Sequence, residues 1–358
     1  MSRKISKTVN EFNQQLKPIS LWADAWKRLR RNRMALISLW IVVFYAIIAL
    51  AAPILPFFDY RIQNLDHTNL PPSFRPAGQL AIEKLKSQIT ILKERVDSGM
   101  DTLKPDLERA EQELTVAKDE LISNPENKKV YIFGTDNLGR DMLAKTIYGA
   151  RISMLVGFIG TLTAVLVGVI LGAISGYVGG WLDNLLMRFV DIMYGLPYML
   201  IVIILMAMFR KEGQSSIVIL FVGIALVSWL TIARVVRGQI ISLKNSEFVE
   251  AARSMGAGPG RIIFRHLLPN ALGVIIVFTS LSLPSFIMNE SFLSFLGMGV
   301  SAPLSSWGSL VSEGANTMEL YPWQLLAPAI EMTIFLFCMN FLGDGLRDAL
   351  DPQSKNRT

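Results

Sequence analysis

Six apolar runs, each near the length that crosses a bilayer, constrain this 358-residue chain more than any other feature. They cover about 34–57, 153–177, 190–209, 217–232, 272–295 and 325–342. In lipid every backbone polar group must be satisfied within the segment, so single spans of this kind fold as helices of roughly 20 residues. The expected fold class is therefore an all-α integral membrane protein with six transmembrane helices. Composition agrees only if read in blocks. The chain is 51% hydrophobic with a mean hydropathy of +0.40, yet 18% of it is charged. Gly195 and Pro197 predict a kink in the third span. Pro284 lies in the fifth, where neighbouring helices can re-satisfy the freed backbone.

Charge sets the expected topology. Residues 1–33 hold nine Lys/Arg against Glu11 and Asp24, residues 233–270 hold six against Glu247 and Glu250, and residues 296–324 hold none. The positive-inside rule then places both termini and the 233–270 loop in the cytoplasm, with the short Arg210-Lys211 loop dissenting. The long 58–152 segment is charge-balanced and counts little. A net charge of +6 can signal nucleic acid, but here the cations flank apolar runs, so no nucleic-acid partner is expected. Cys338 stands alone, and His67 and His266 are far apart, so no disulfide framework or metal site is expected. The N-terminus is long and polar, and no cleavable leader is read there. Trp22 to Arg31 mixes Trp with cations, which suits a helix at the lipid surface, or a simple stop-transfer flank.

Between the fourth and fifth spans, residues 250–270 read EAARSMGAGPGRIIFRHLLPN. Glu250, Ala251 and Ala252 offer a small, flat helical face with one charge. Gly256 suits a helix C-cap, Pro259 can open a second short helix, and Pro269 marks the start of the next span. By residue types alone, this is either a surface gripped by a soluble partner or an unpartnered elbow.

Two further segments lie between the first two spans. Ile82, Leu85, Ile89, Leu92 and Val96 recur at steps of three and four, as do Leu103, Leu107, Ala110, Leu114, Ala117 and Leu121. With a turn signal at residues 97–101, they predict an antiparallel helical hairpin at about 79–123, a spacer or a docking arm. After it, Phe133 to Asp141 reads FGTDNLGRD, where Thr135 or Asp136 is expected to cap a helix running through about Tyr148. No GxxxxGK[ST] run exists, so the chain is expected to bind no nucleotide and not to be an enzyme. Three ionisable residues fall within spans and are candidates for the translocation path or for helix packing: Asp191, expected beside Arg188, Glu290 and Glu331.

These residues carry a family resemblance. Glu250, Ala251, Ala252, Gly256, Leu268 and Pro269 fall in register with the EAA-xxx-G…LP motif of ABC importer permeases; His266 departs from the general pattern but suits the peptide branch. The GTDNLGRD run, Glu290 to Val300 followed by Ser306-Trp307-Gly308, and the tail from Asn340 to Pro352 all resemble dipeptide/oligopeptide permeases of the OppC/DppC type. So does the Trp-x-Asp-Ala-Trp stretch near the N-terminus. The likeness covers most of residues 20–352, and the hairpin at 79–123 is its clear departure.

The resemblance implies a type I ABC importer permease fold and half of a heterodimeric pore, completed by a homologous permease subunit. It also implies two cytoplasmic ATPase subunits that use ATP and Mg, and an extracytoplasmic substrate-binding protein, with no cofactor on this chain. Glu250, Ala251, Ala252, Arg253, Gly256 and Arg261 would form the ATPase-coupling site. In it Glu250 anchors by a charge-assisted hydrogen bond, the two alanines allow close approach, and Gly256 ends the helix. The implied organisation is a cytoplasmic segment 1–33, a first span 34–57, an extracytoplasmic segment 58–152, a five-helix core 153–343 and a cytoplasmic tail 344–358. Di- or oligopeptides are the implied cargo; a nickel or other small-solute permease of the same family is the alternative. A non-ABC carrier or a membrane-tethered scaffold would leave the cytoplasmic motif unexplained.

Overall fold

The computed structural model describes residues 21–54, 59–209, 217–300 and 304–350. The first 20 residues, the end of the first apolar run at 55–57, the Arg210-Lys211 loop and the tail beyond 350 lie outside the described residues. The described elements are helical: α1 (Leu21–Arg31), α2 (Arg33–Ala51), α3 (Ala77–Asp97), α4 (Lys104–Ser123), α5 (Met142–Val178), α6 (Gly180–Gly195), α7 (Tyr198–Phe209), α8 (Ile217–Leu243), α9 (Glu247–Ser254), α10 (Pro259–Ile262), α11 (Leu268–Phe295), α12 (Trp307–Ala315) and α13 (Trp323–Leu350). Among the described residues, five helices are long and apolar enough to cross a membrane, and six spans result if α6 and α7 form one bent span.

The spans form where expected, but most run further. α5 is a single helix of 37 residues, about 56 Å at 1.5 Å per residue, against a hydrocarbon core of roughly 30 Å. Neither Thr135 nor Asp136 caps it: Asp141 does, its Oδ1 accepting from Leu143 N at 2.9 Å, and no break follows Tyr148. α8 continues eleven residues past Ile232, because Arg234 and Arg237, which end the apolar run, find carboxylate partners on α6. The fifth span joins the preceding short helix, so Pro259 to Phe295 is continuous. Pro269 has no N–H and its ring crowds the carbonyl four residues back; a π-turn at Ile263–Leu267 absorbs this, with Leu268 N bonding Ile263 O. α13 extends to Leu350. Its end is no loose tail: Ala349 and Leu346 pack with Leu29 and Ala35, and a Cβ on Gly345 would lie 2.3 Å from Ala35 Cβ.

The third span begins at Gly180, ten residues before the expected start. Gly179 and Gly180, at φ +68° and +60°, turn the chain straight back from α5. The expected kink is an 80° bend between α6 and α7.

Small residues draw the centre of the bundle together. Gly168, Gly172 and Gly176 repeat every four residues on one face of α5. A Cβ on each would come within 2.8, 2.4 and 2.8 Å of the Trp229, Ala233 and Arg237 carbonyl oxygens of α8. This is the small-xxx-small packing that lets backbones touch where lipid supplies no hydrophobic drive between helices.

On the other side of the spans, α3 and α4 form the expected hairpin, closed by Gly99 at φ +95° and crossed by a Lys93–Glu111 ion pair at 2.7 Å. Its base is pinned by buried His67. Nε2–H donates to Asn127 Oδ1 at 2.9 Å, while Asn64 Nδ2 and Tyr131 OH lie 3.1 and 3.3 Å from Nδ1. Asn127 Nδ2 in turn bonds the Glu120 carbonyl of α4. This network suits the neutral ring, and burial lowers the His67 pKa below 6.5.

Candidate functional site

The loop between α8 and α11 folds around one helix, α9, of eight residues. Its termination is a Schellman motif: Ala257 N bonds Ala252 O at 3.0 Å and Gly256 N bonds Arg253 O at 2.9 Å, with Gly256 at φ +80°. No atom lies within 4 Å of where a Gly256 Cβ would sit, so the glycine is required by conformation and not by space. α9 has two faces. Val249 and Ala252 are buried in a core shared with α5, α8, the π-turn and α11, through Ala173, Val236, Ile240, Ile263, Leu267 and Ala271. Glu250, Ala251, Arg253 and Gly256 are exposed, as is Arg261 on α10.

Ala252 therefore corrects the expectation that both alanines face a partner. Its smallness lets α9 settle onto its own bundle, and Ala251 alone lies on the outer face. Arg253 lies 5.7 Å over the Tyr177 ring at the end of α5, a second tie between loop and span. Sequence reasoning missed Phe248 and Met255, which with Ala251 follow i, i+3, i+7 spacing along the open face; Met255 is 81% exposed. A Phe and a Met within a polar loop were the available signal. Phe264, 65% exposed, stands nearby in the chain. The result is a short helix with an apolar ridge and a flanking carboxylate, rigidly backed by three spans.

The in-span ionisable residues do not meet one another. Asp191 is exposed and pairs with Arg234 of α8 at 2.5 Å, not with Arg188; Arg234 also stacks 4.2 Å over Tyr194. Glu290 is fully buried, accepting from Ser306 Oγ at 2.6 Å, Ser294 Oγ at 2.7 Å and Ser153 Oγ at 3.4 Å, so it bolts α11 to α5 and to the start of α12. Glu331 is half-buried; the Trp307 indole N–H is buried with no hydrogen-bond partner among the described residues. One strong pair went unforeseen: Arg237 grips Asp183 with two hydrogen bonds at 2.6 and 2.7 Å, and Ser175 adds a third.

At the N-terminal end of α5 lies a charged latch. Lys145, 1% exposed, bonds Asp136 Oδ2 at 2.8 Å and Glu313 Oε2 of α12 at 2.9 Å, and Arg140 Nε bonds Asp136 at 2.7 Å. Burial would raise the Asp136 pKa, but Lys145 and Arg140 outweigh it and hold the carboxyl below its usual value. Burial pushes Asp141 to about 6 despite its backbone donors. The GTDNLGRD run is thus a structural clasp between α5 and α12.

Long apolar helices closed on one another by a glycine stripe, with a short two-faced helix on the loop between α8 and α11, define a multi-pass membrane protein. Residues 168–356 match the family described as binding-protein-dependent transport system inner membrane component. Residues 20–72 match the N-terminal TM domain of oligopeptide transport permease C. The chain is 42% identical over 357 residues to the oligopeptide transport system permease protein OppC of Escherichia coli, covering 99% of each. It is 36% identical to OppC of Bacillus subtilis (94% of this chain, 91% of the relative) and 37% identical to the dipeptide permease DppC of that organism (94% and 87%). A solved chain of the inward-facing MetNI methionine ABC transporter overlays with TM-score 0.48 at 19% identity, covering 59% of this chain and 98% of that one. The chain belongs to the oligopeptide/dipeptide permease family of ABC importers.

Proposed function

We propose that this chain is one half of a heterodimeric pore for ATP-driven import of di- or oligopeptides. In this reading α9 is the coupling helix, set on the cytoplasmic side with both termini. A homologous permease completes the pore, two ATPases sit beneath it, and a binding protein delivers cargo from outside. The observation that carries the reading is the two-faced α9. Val249 and Ala252 key it into α5, α8 and α11, while Phe248, Glu250, Ala251 and Met255 stay open. A push on the open face is transmitted to three spans as a rigid-body movement, which suits alternating access. Glu250, in the first turn of α9, is placed to accept charge-assisted hydrogen bonds from a partner.

The test is uptake of labelled di- and oligopeptides, with nickel as the comparison cargo, by the complete importer in proteoliposomes. ATP-dependent peptide uptake supports the proposal. Nickel uptake without peptide uptake would keep the transporter and change its cargo.

A further inference from the structure

Where α6 gives way to α7, the chain leaves the helix between two apolar segments that meet at 80°. Pro197 has no N–H, and its carbonyl accepts from Leu200 N at 2.9 Å. Non-helical backbone at membrane depth is tolerated only where it is packed in protein or lines a wet cavity. Here it lines a cavity. Met193, Tyr194, Leu196 and Pro197 form one wall of a space of about 550 Å³ whose other walls are α8 and α11. That volume falls within the roughly 300–1,000 Å³ of ligand sites.

The lining is mostly apolar, with polar groups concentrated in two places. Ser282, Ser285 and Asn289 follow i, i+3, i+7 spacing on one face of α11. Tyr194 OH and Thr231 Oγ1 lie 2.6 Å apart on the facing elements. Ser282 and Ser285 donate back to the Phe278 and Leu281 carbonyls, at 2.7 and 3.1 Å, which leaves their oxygens as acceptors. The Asn289 carboxamide has no hydrogen-bond partner among the described residues. No lining side chain is a carboxylate, amine or guanidinium.

We propose that this cavity is a station for the peptide main chain on the translocation path, an inference that rests on the peptide-import reading above. Every residue of a peptide presents one N–H and one C=O whatever its side chain. Ser282 and Asn289 lie about 10 Å apart along the helix, which matches about three residues of extended chain. An uncharged apolar lining accepts varied side chains, and the polar stripe holds what all peptides share.

The experiment uses the complete importer in proteoliposomes with labelled tri-alanine and its N-methylated analogue. Asn289→Leu lowers peptide imported per ATP hydrolysed by about five-fold, the worth of one hydrogen bond. The wild type prefers tri-alanine to its analogue at the import step, and Asn289→Leu narrows that preference. A photo-crosslinking residue at position 285 captures labelled peptide during turnover, and one at Phe337, an exposed position on α13, does not. Unchanged uptake by Asn289→Leu with no capture at 285 overturns the proposal. So does loss of the permease heterodimer in that variant, which would make the stripe a subunit interface. A wild-type importer that moves no peptide removes the peptide-import reading itself; import with unaffected variants removes this inference alone.

Discussion

Replacing Gly256 with alanine isolates the backbone requirement at the end of α9. The residue sits at φ +80°, and a Cβ there would meet no atom within 4 Å, so the substitution adds no clash. Its cost is the left-handed conformation alone, about 1–2 kcal/mol for a residue with a Cβ. That cost bears on the two bonds that close the helix, Ala257 N to Ala252 O and Gly256 N to Arg253 O. If these set the population of the docking-ready loop, that population falls about five- to thirty-fold relative to the frayed form. The assay is stimulation of ATP hydrolysis by loaded binding protein in the reconstituted importer, with insertion and complex size as controls. Gly260→Ala is the matched comparison. It too meets open space, but its φ is not left-handed and it lies inside α10, so it is expected to be neutral or slightly favourable. Gly256→Asn falls between the two, because asparagine tolerates this region better. Equal stimulation in Gly256→Ala and Gly260→Ala would refute the reasoning.

Three further outcomes follow from the packing and charge. Lys145→Met removes the cation shared by Asp136 and Glu313 and costs about 1–3 kcal/mol, because Arg140 still holds Asp136 and Glu313 is half exposed; it is read as a lower unfolding temperature of the purified chain. Gly172→Leu, whose Cβ would lie 2.4 Å from the Ala233 carbonyl oxygen, forces α5 and α8 apart and costs at least 1–3 kcal/mol in the same measurement. His67 has a lowered pKa in the folded state, so its contribution is full above the unfolded value near 6.5 and is lost as pH falls below it. The protection of amides at the base of α3 and α4, taken relative to their intrinsic base-catalysed exchange rates, is therefore lower at pH 5.5 than at pH 7.5, and it changes less across this range in His67→Gln.

The spans were legible because twenty apolar residues in a row admit few other structures. Their ends were not, because Arg234 and Arg237 look like terminators until Asp191 and Asp183 come into view on a separate helix. The cap of α5 was misplaced for a related reason. Thr135, Asp136 and Asp141 all have capping chemistry, and tertiary partners decide among them: Thr135 bonds Leu70 and His67, and Asp136 goes to Arg140 and Lys145. The end of α9 was readable from Gly256, since few residues tolerate that backbone. Which alanine faces outward was not, because a small side chain suits a docking face and a tight internal contact equally. The Lys145–Glu313 contact joins residues 168 apart and leaves no local pattern.

The central claim is that the open face of α9 docks on an ATPase subunit. Photo-crosslinking from position 255 in the assembled importer tests it most directly. The account predicts a covalent adduct with an ATPase from position 255 and none from buried position 249. No ATPase adduct from 255, or equal adducts from both positions, would contradict it.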